Sequence, residues 1–280
     1  FDEENNLQWS NQLKEHGAKV IYGAPNLKVH SKLLYIKRQD KGKDLSVAYV
    51  GTGNFNERTS RIYTDFALLT AEKRVVSEVS KVFKLLENNM ERVSFRHLMV
   101  SPINYRRKIV QLIDKEIVLA KAKKPAYIRI KLNNLTDRQM IEKLLEASLA
   151  GVRVEMIVRG ICCLKTDLKK NPNLTVISIV DRYLEHARCM VFGNEGKPLF
   201  YIGSADLMER NLDYRIEVAT PIFDPAIQAE LTEIFDFQWR GTVKSRWITS
   251  DMKNEYRRTE GPPFHAQRNL YAKYTPEESN

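Results

Sequence analysis

Apolar residues recur along this chain with two different periods, and stretches of one period alternate with stretches of the other. Apolar residues three or four positions apart predict helices, whereas short runs rich in β-branched and aromatic residues predict strands. The helical stretches are 5–16, 73–89, 106–124, 136–151 and 224–240. The predicted strands are 18–25, 30–38, 45–53, 63–71, 126–132, 152–160, 174–180, 186–193, 198–206 and 215–223. This alternation indicates an α/β fold with mixed sheets flanked by helices.

The best internal boundary lies around Pro102, in the segment SPINYRR. We expect a first domain over 1–95 and a second over 96–248. Residues 249–280 are polar, mixed in charge and without apolar periodicity, so an arm or a disordered segment is expected there. The first half has no counterpart of the strand, helix and strand at 127–160, which predicts that the first domain is truncated at its N-terminus.

The two halves repeat one pattern, and this repeat is the most informative feature of the sequence. His-Ser-Lys at 30–32 corresponds to His-Ala-Arg at 186–188, each at the start of an apolar strand. A Gly-Thr or Gly-Ser turn follows, and an acidic residue falls 14 positions after that glycine in both halves. A shared order of so many features argues against chance. The matched pairs are Gly51 with Gly203, Arg58 with Arg210, and Asp65 with Glu217.

The chain is basic, with 45 Lys and Arg against 35 Asp and Glu, a formal charge of +10 and a pI near 9.4. This balance favours anionic partners such as nucleotides, nucleic acid, polyphosphate or acidic lipid. The three cysteines lack metal-type spacing and favour a reducing compartment. The sequence has neither the run of about 18 apolar residues that a membrane span needs nor a signal-peptide pattern. We therefore expect a cytoplasmic protein.

A duplicated His-x-basic unit has a direct chemical use. Imidazole is a nucleophile at neutral pH, and a Lys or Arg two residues later points to the same side of a strand, where it can hold phosphate oxygens. Two such units facing each other supply a nucleophile, an acid or base, and a clamp for transition-state charge. Asp65 and Glu217 could each fix a histidine tautomer by accepting its other ring N–H, or could form ordinary ion pairs.

At these residues the chain resembles the phospholipase D superfamily in layout and, more closely, the catalytic C-terminal region of bacterial polyphosphate kinases. The resemblance runs from Phe1 to about Trp247 and is carried by stretches such as GAKVIYGAPNLKVHSKLLYI, GTGNFNERTSRIYTDFALLT and SADLMERNLDYRIEVATPI. It implies two tandem phospholipase D-like domains. A plain phosphodiesterase of the superfamily usually has an Asp five residues after the basic residue of the motif, where this chain has Lys37 and Gly193. That departure counts against hydrolysis of lipids or nucleic acids.

The resemblance implies reversible transfer of the ATP γ-phosphate to polyphosphate through a phosphohistidine. It implies that His30 is the nucleophile and that His186 lies near the nucleotide phosphates, as a candidate proton donor. Tyr63 and Arg159 match positions that bind ATP in the family. Judged without the resemblance, Tyr63 is equally well explained as an aromatic side chain packed on a neighbouring strand, and Arg159 as a charged residue at the edge of the sheet. The remaining expected contacts with phosphate or polyphosphate are Lys32, Arg188, Arg58, Arg210 and Lys131.

The chemistry needs Mg²⁺ with ATP to screen the triphosphate. Family residues linked to that metal lie upstream of Phe1, so no metal ligand is assigned in this chain. The resemblance implies ATP, ADP and inorganic polyphosphate as partners, and no nucleic acid. It also implies a dimer or tetramer in the full-length protein. Peripheral association with the inner membrane is left open. Little or no activity is expected of this chain alone. Two alternatives remain: a phospholipase D-like phosphodiesterase or nuclease, and a non-catalytic polyanion-binding module.

Overall fold

A computed structural model describes residues 3–23, 26–87, 93–167, 170–258 and 260–275. The helices are α1 (Glu3–Glu15), α2 (Glu57–Ser60), α3 (Lys73–Glu87), α4 (Tyr105–Lys121), α5 (Arg138–Leu149), α6 (Glu209–Asp213), α7 (Pro225–Arg240) and α8 (Ala266–Tyr274). The strands of the first half are β1 (Lys28–Val29), β2 (Lys32–Ile36), β3 (Gln39–Asp40), β4 (Lys43–Asp44), β5 (Val47–Gly51), β6 (Tyr63–Thr64) and β7 (Ala67–Thr70). The later strands are β8 (Met99–Ser101), β9 (Tyr127–Leu132), β10 (Arg153–Val158), β11 (Leu174–Ile179), β12 (Leu184–Glu185), β13 (Cys189–Phe192), β14 (Leu199–Gly203), β15 (Arg215–Ile222) and β16 (Ser245–Trp247).

The largest sheet is mixed and consists mainly of strands from the second half. Its order is β1-β15-β14-β13-β9-β10-β11-β16, and β8 also pairs with β15. Alternate residues of a strand face opposite sides of a sheet. In β13, Met190 and Phe192 accordingly join the core formed with α4 and α5, whereas Cys189 and Val191 join the core formed with α7. Helices therefore cover both faces, which confirms the predicted α/β class.

A smaller antiparallel sheet, in the order β2-β5-β7, belongs to the first half. Helix α3 covers it, because apolar residues at helical spacing form one buried stripe along the helix. Val79, Val82 and Leu85 of that stripe pack with Ala48 and Val50 of β5. The helix predicted at 73–89 is thus found, and its last two positions lie outside the described residues.

Two short parallel strand pairs join the halves. Strand β1 pairs with β15, with Lys28 opposite Arg215, and β6 pairs with β12, with Tyr63 opposite Leu184. These two strand pairs are equivalent in the sequence repeat, because β1 corresponds to β12 and β6 corresponds to the start of β15. Each His-x-basic unit therefore follows a strand that is hydrogen-bonded to the other half.

Among the differences between the structure and the predicted elements, two concern whole segments. Residues 18–23 form no strand, and Ile21 and Tyr22 are exposed there; Ala24 and Pro25 lie outside the described residues. An arm or a disordered segment was expected over 249–280; residues 266–274 form α8, so they are not disordered. Its Gln267 side chain both accepts from and donates to the backbone of Tyr183, at 3.0 and 2.8 Å. Polar contacts of this kind leave no apolar period in the sequence.

None of the described helices combines the length and the apolar character that crossing a bilayer demands.

Candidate active site

The first His-x-basic unit lies where the chain leaves the large sheet and enters the small one. His30 and Ser31 both donate their backbone N–H to the carbonyl of Ile216 in β15, at 3.0 and 2.9 Å. Strand β2 then begins at Lys32, two residues later than predicted. The backbone of His30 is thus held against the second half of the chain.

The side chain of His30 is held by a carboxylate from the second half. His30 Nδ1 lies 2.9 Å from Glu217 Oε2, and the Glu217 side chain is fully buried. Ser204 and Asn211 also donate to this carboxylate, at 2.5 and 2.6 Å. An ionised carboxylate only accepts hydrogen bonds, so Nδ1 of His30 carries the proton and Nε2 keeps its lone pair.

The second histidine makes the reciprocal pair. His186 Nδ1 lies 2.8 and 3.1 Å from the two carboxylate oxygens of Asp65, which belongs to the first half. Thr52 donates to Asp65 at 2.6 Å and occupies the position that Ser204 has in the repeat. Glycine at position 53 is required for this approach, because a Cβ there would overlap the Asp65 carboxylate. Each half therefore orients the histidine of the other half.

The two histidines differ at their remaining ring nitrogens. Arg188 Nη1 lies 3.1 Å from Nε2 of His186, and since a guanidinium only donates, that lone pair is already occupied. Among the described residues, no group makes a hydrogen bond to Nε2 of His30. The side chain of His30 is also more accessible, at 24% against 14% for His186. Of the two histidines, His30 is therefore the one whose Nε2 lone pair has no hydrogen-bond partner among the described residues.

Burial lowers the pKa of both histidines below the ordinary value of 6.5. The carboxylates of Glu217 and Asp65 partly oppose this shift, whereas the positive charge of Arg188 adds to it at His186. Both rings are consequently neutral at physiological pH, which is the state that a nucleophile needs.

Two cations approach His30 from different elements. Burial lowers the pKa of Lys32 to about 8, although the charge of Glu217 opposes the shift, and the Lys32 ammonium donates to the carbonyl of His30. Arg215, at the start of β15, is close enough for its charge to lower the pKa of both His30 and Lys32. Sequence reasoning missed Arg215, although the repeat matches it with Tyr63, a predicted site residue.

Tyr63 and Arg159 lie on the side of His186. The ring centres of Tyr63 and His186 are 5.0 Å apart. Arg159 follows β10 and donates through Nε to Asn133, whose amide donates in turn to the carbonyl of His186 at 3.0 Å. Asn133 is buried and was also missed, because a single Asn after a strand carries no distinctive signal.

The predicted polyphosphate contacts divide into two groups. Arg58 and Arg210 are exposed on the equivalent short helices α2 and α6, and the charge of Arg210 reaches Arg215. Lys131 is different, because its ammonium is 2.9 Å from Glu185 and the two side chains are only 2% and 1% exposed. The predicted contact of Lys131 with a polyanion is therefore wrong for this structure: the side chain points from β9 into a buried ion pair.

Comparisons with known proteins show the family of this chain. The family model of polyphosphate kinase C-terminal domain 1 matches residues 1–92, and that of C-terminal domain 2 matches residues 98–267. The polyphosphate kinase of Vibrio parahaemolyticus serotype O3:K6 is 49% identical over 257 residues, which are 91% of this chain and 37% of the relative. That of Escherichia coli strain K12 is 47% identical over the same lengths.

A solved structure gives the same result in three dimensions. The crystal structure of polyphosphate kinase from Porphyromonas gingivalis superposes with a TM-score of 0.89 at 38% identity, over 96% of this chain and 42% of that chain. The chain thus spans 37% of the length of the curated relatives reported above. It belongs to the polyphosphate kinase family and contains C-terminal domains 1 and 2 of that family.

Proposed function

We propose that this chain carries the phosphotransfer site of an ATP–polyphosphate phosphotransferase, with His30 as the residue that is phosphorylated. The observation that carries the proposal is the difference between the two histidines. Nδ1–H of His30 is held by Glu217, and its Nε2 has no partner in the described part of the chain, whereas Nε2 of His186 already accepts from Arg188. The names of the relatives supply the substrate class.

In the proposed first step, the lone pair of His30 Nε2 attacks the γ-phosphorus of ATP. The bond from that phosphorus to the β,γ-bridging oxygen breaks, and ADP leaves with the electron pair. The ring becomes positively charged while Nδ1 keeps its proton, and the buried carboxylate of Glu217 stabilises that charge.

In the second step, a terminal oxygen of polyphosphate attacks the phosphorus on His30. The Nε2–phosphorus bond breaks, its electron pair returns to the ring, and the polymer is one phosphate longer. The same steps in reverse make ATP from ADP. Lys32, Arg188 and Arg215 supply the positive charge that the crowded phosphates require.

His186 can act in this scheme without donating a proton. ADP leaves as an anion, and the guanidinium of Arg188 can take up the developing charge directly. Proton donation by His186 would require the contact between Arg188 and Nε2 to break when nucleotide binds. Tyr63 and Arg159, which lie beside His186, are proposed to contact the nucleotide.

Mg²⁺ is proposed to enter as part of the MgATP substrate. Within the described ranges, no group of three or more His, Cys, Asp or Glu side chains is arranged to hold a metal ion. Three further points stay predictions. They are assembly into a dimer or tetramer, a cytoplasmic location with peripheral association with the inner membrane left open, and low activity of the isolated chain.

Incubation of the intact protein that contains this chain with γ-labelled ATP tests the proposal. An acid-labile, alkali-stable label on the protein is expected, lost in His30→Ala and kept in the matched control His16→Ala, which changes an exposed histidine. Release of a nucleoside monophosphate would indicate a phosphodiesterase instead. Salt-sensitive binding of polyphosphate without any label would indicate a binding module.

A further inference from the structure

A row of cations continues from the site on the side of Arg159. One cavity of about 690 Å³ has Arg159, Arg246 and Lys244 in its lining, and a second of about 500 Å³ has Lys244, Arg182 and Arg268. Lys244 lines both cavities, so they meet at this side chain. The basic groove is defined here by those five residues.

The charges of the basic groove are available to a ligand. Within the described part of the chain, Lys244, Arg182 and Arg268 form no ion pair. Arg246 donates to the carbonyl of Asn254 at 2.7 Å, a neutral acceptor that leaves its positive charge uncompensated. Among the described residues, the lining includes one carboxylate, that of Asp181, which is only 5% exposed and lies 3.5 Å from His265 Nδ1. The groove therefore presents five cations and one buried acid.

Two aromatic residues of the groove lie beside its own cations. The guanidinium of Arg246 lies 3.7 Å from the ring centre of Tyr256, and that of Arg182 lies 5.4 Å from that of Tyr183. Single-stranded nucleic acids bind by stacking their bases on free aromatic faces, in addition to charge contacts. The exposed ring of Tyr271 in the second cavity has no such cation among the described residues. A polyanion bound through charge is therefore assigned on the five cations and on their continuity with Arg159.

We propose that the basic groove is the track of the polyphosphate chain beyond the phosphotransfer site. The inference rests on the proposed function and assigns its polymer substrate to a surface. Arg159 connects the two, because its Asn133 partner also holds the carbonyl of His186. A short polyphosphate contacts the site alone, whereas a long one also contacts Lys244, Arg182 and Arg268.

The test uses Lys244→Gln/Arg268→Gln in the intact protein and measures ATP formation from ADP with tripolyphosphate and with long-chain polyphosphate. The KM for the long chain is expected to rise roughly tenfold, with kcat, the KM for ADP and the KM for tripolyphosphate unchanged. A plot of log affinity for the long chain against log salt should become flatter by about 1.4, at about 0.7 for each phosphate that the variant no longer neutralises. Lys81→Gln/Lys121→Gln removes the same charge from two exposed helix positions and should change none of these values.

Three outcomes would overturn the inference. The variant could keep the wild-type KM for the long chain, it could bind tripolyphosphate and the long chain equally weakly, or its affinity could fall for single-stranded DNA alone. Any of these would leave the proposed function standing as long as the wild-type protein transfers phosphate. Absence of transfer by the wild-type protein would instead contradict the proposed function itself.

Discussion

His30 and Glu217 are 187 residues apart in the chain, yet Nδ1 of the histidine lies 2.9 Å from Oε2 of the acid. His186 and Asp65 form the equivalent contact across 121 residues, in the opposite direction along the repeat. Each half therefore supplies a histidine to the carboxylate of the other. Neither half can fix the tautomer of its own histidine.

Replacement of Glu217 by Gln is expected to slow phosphorylation of His30 by on the order of a hundredfold. A neutral amide cannot stabilise the positive charge of the phosphorylated ring, and its NH₂ group can turn towards Nδ1. The initial rate of label incorporation from γ-labelled ATP measures this reduction. Glu209→Gln, a change at an exposed acid on α6, should label at the wild-type rate. A wild-type rate in Glu217→Gln would contradict the orienting role.

In the pH profile of the labelling rate, the rate should fall on the acidic side with a midpoint below pH 6.5. Only the neutral ring is nucleophilic, and burial keeps the pKa of His30 below its ordinary value, so the rate falls only when the pH drops through that lowered pKa. Glu217 raises the pKa of His30, so Glu217→Gln should move the limb to still lower pH while reducing the plateau. A midpoint above pH 6.5 in the wild-type protein would argue against a buried neutral nucleophile.

On the alkaline side of the same profile, the labelling rate is expected to fall with a midpoint near pH 8, and this fall is assigned to Lys32. Burial lowers the pKa of this ammonium to about 8, so its positive charge is present below that pH and is lost as the pH rises through it. Lys32→Arg should remove the limb, because a guanidinium stays charged. The repeat has Arg188 at the equivalent position, so the fold accepts arginine there. A limb that persists in Lys32→Arg would assign it to another group.

The repeat in the sequence predicts the two histidines and the two acids of the site, but not how they pair. His30 matches His186 and Asp65 matches Glu217 whether the pairs form within a half or between halves. The crossing depends on β1 pairing with β15 and β6 with β12, and two-residue strands have no sequence signal. The burial of Lys131 was missed for a similar reason. Successive side chains of β9 point to opposite faces of the sheet. The alternation does not show which face carries Glu185, the buried partner of the Lys131 ammonium.

Docking of α8 should depend on Gln267. Its side chain bonds both backbone groups of Tyr183 and donates to Glu185 at 2.7 Å. Gln267→Leu leaves those groups without these partners and should lower the free energy of unfolding by about 2 kcal/mol. Hydrogen exchange at the Tyr183 amide should speed up, whereas Gln8→Leu, on the exposed face of α1, should leave it unchanged. Unchanged exchange in Gln267→Leu would show that other contacts hold the helix.

The buried pair of Lys131 and Glu185 predicts a loss of stability that depends on pH. Burial favours the neutral form of Glu185, but Lys131 and the hydrogen bonds from Gln267 and Thr64 outweigh it and keep the pKa of the acid below its ordinary value. Lys131→Met removes the largest of these compensating effects and should lower the free energy of unfolding by about 3 kcal/mol at pH 7.

The sign of the pH effect follows from the carboxylate that remains. Without Lys131, burial raises the pKa of Glu185 in the folded state, so the folded protein binds a proton more readily than the unfolded chain. The deficit of Lys131→Met should therefore shrink as the pH falls from 7 to 5, which urea unfolding at both pH values measures. Arg138→Gln, which breaks an exposed pair with Glu142, should cost less than about 0.5 kcal/mol at either pH. A Lys131→Met protein of wild-type stability with weakened polyphosphate binding would instead restore Lys131 to the substrate path.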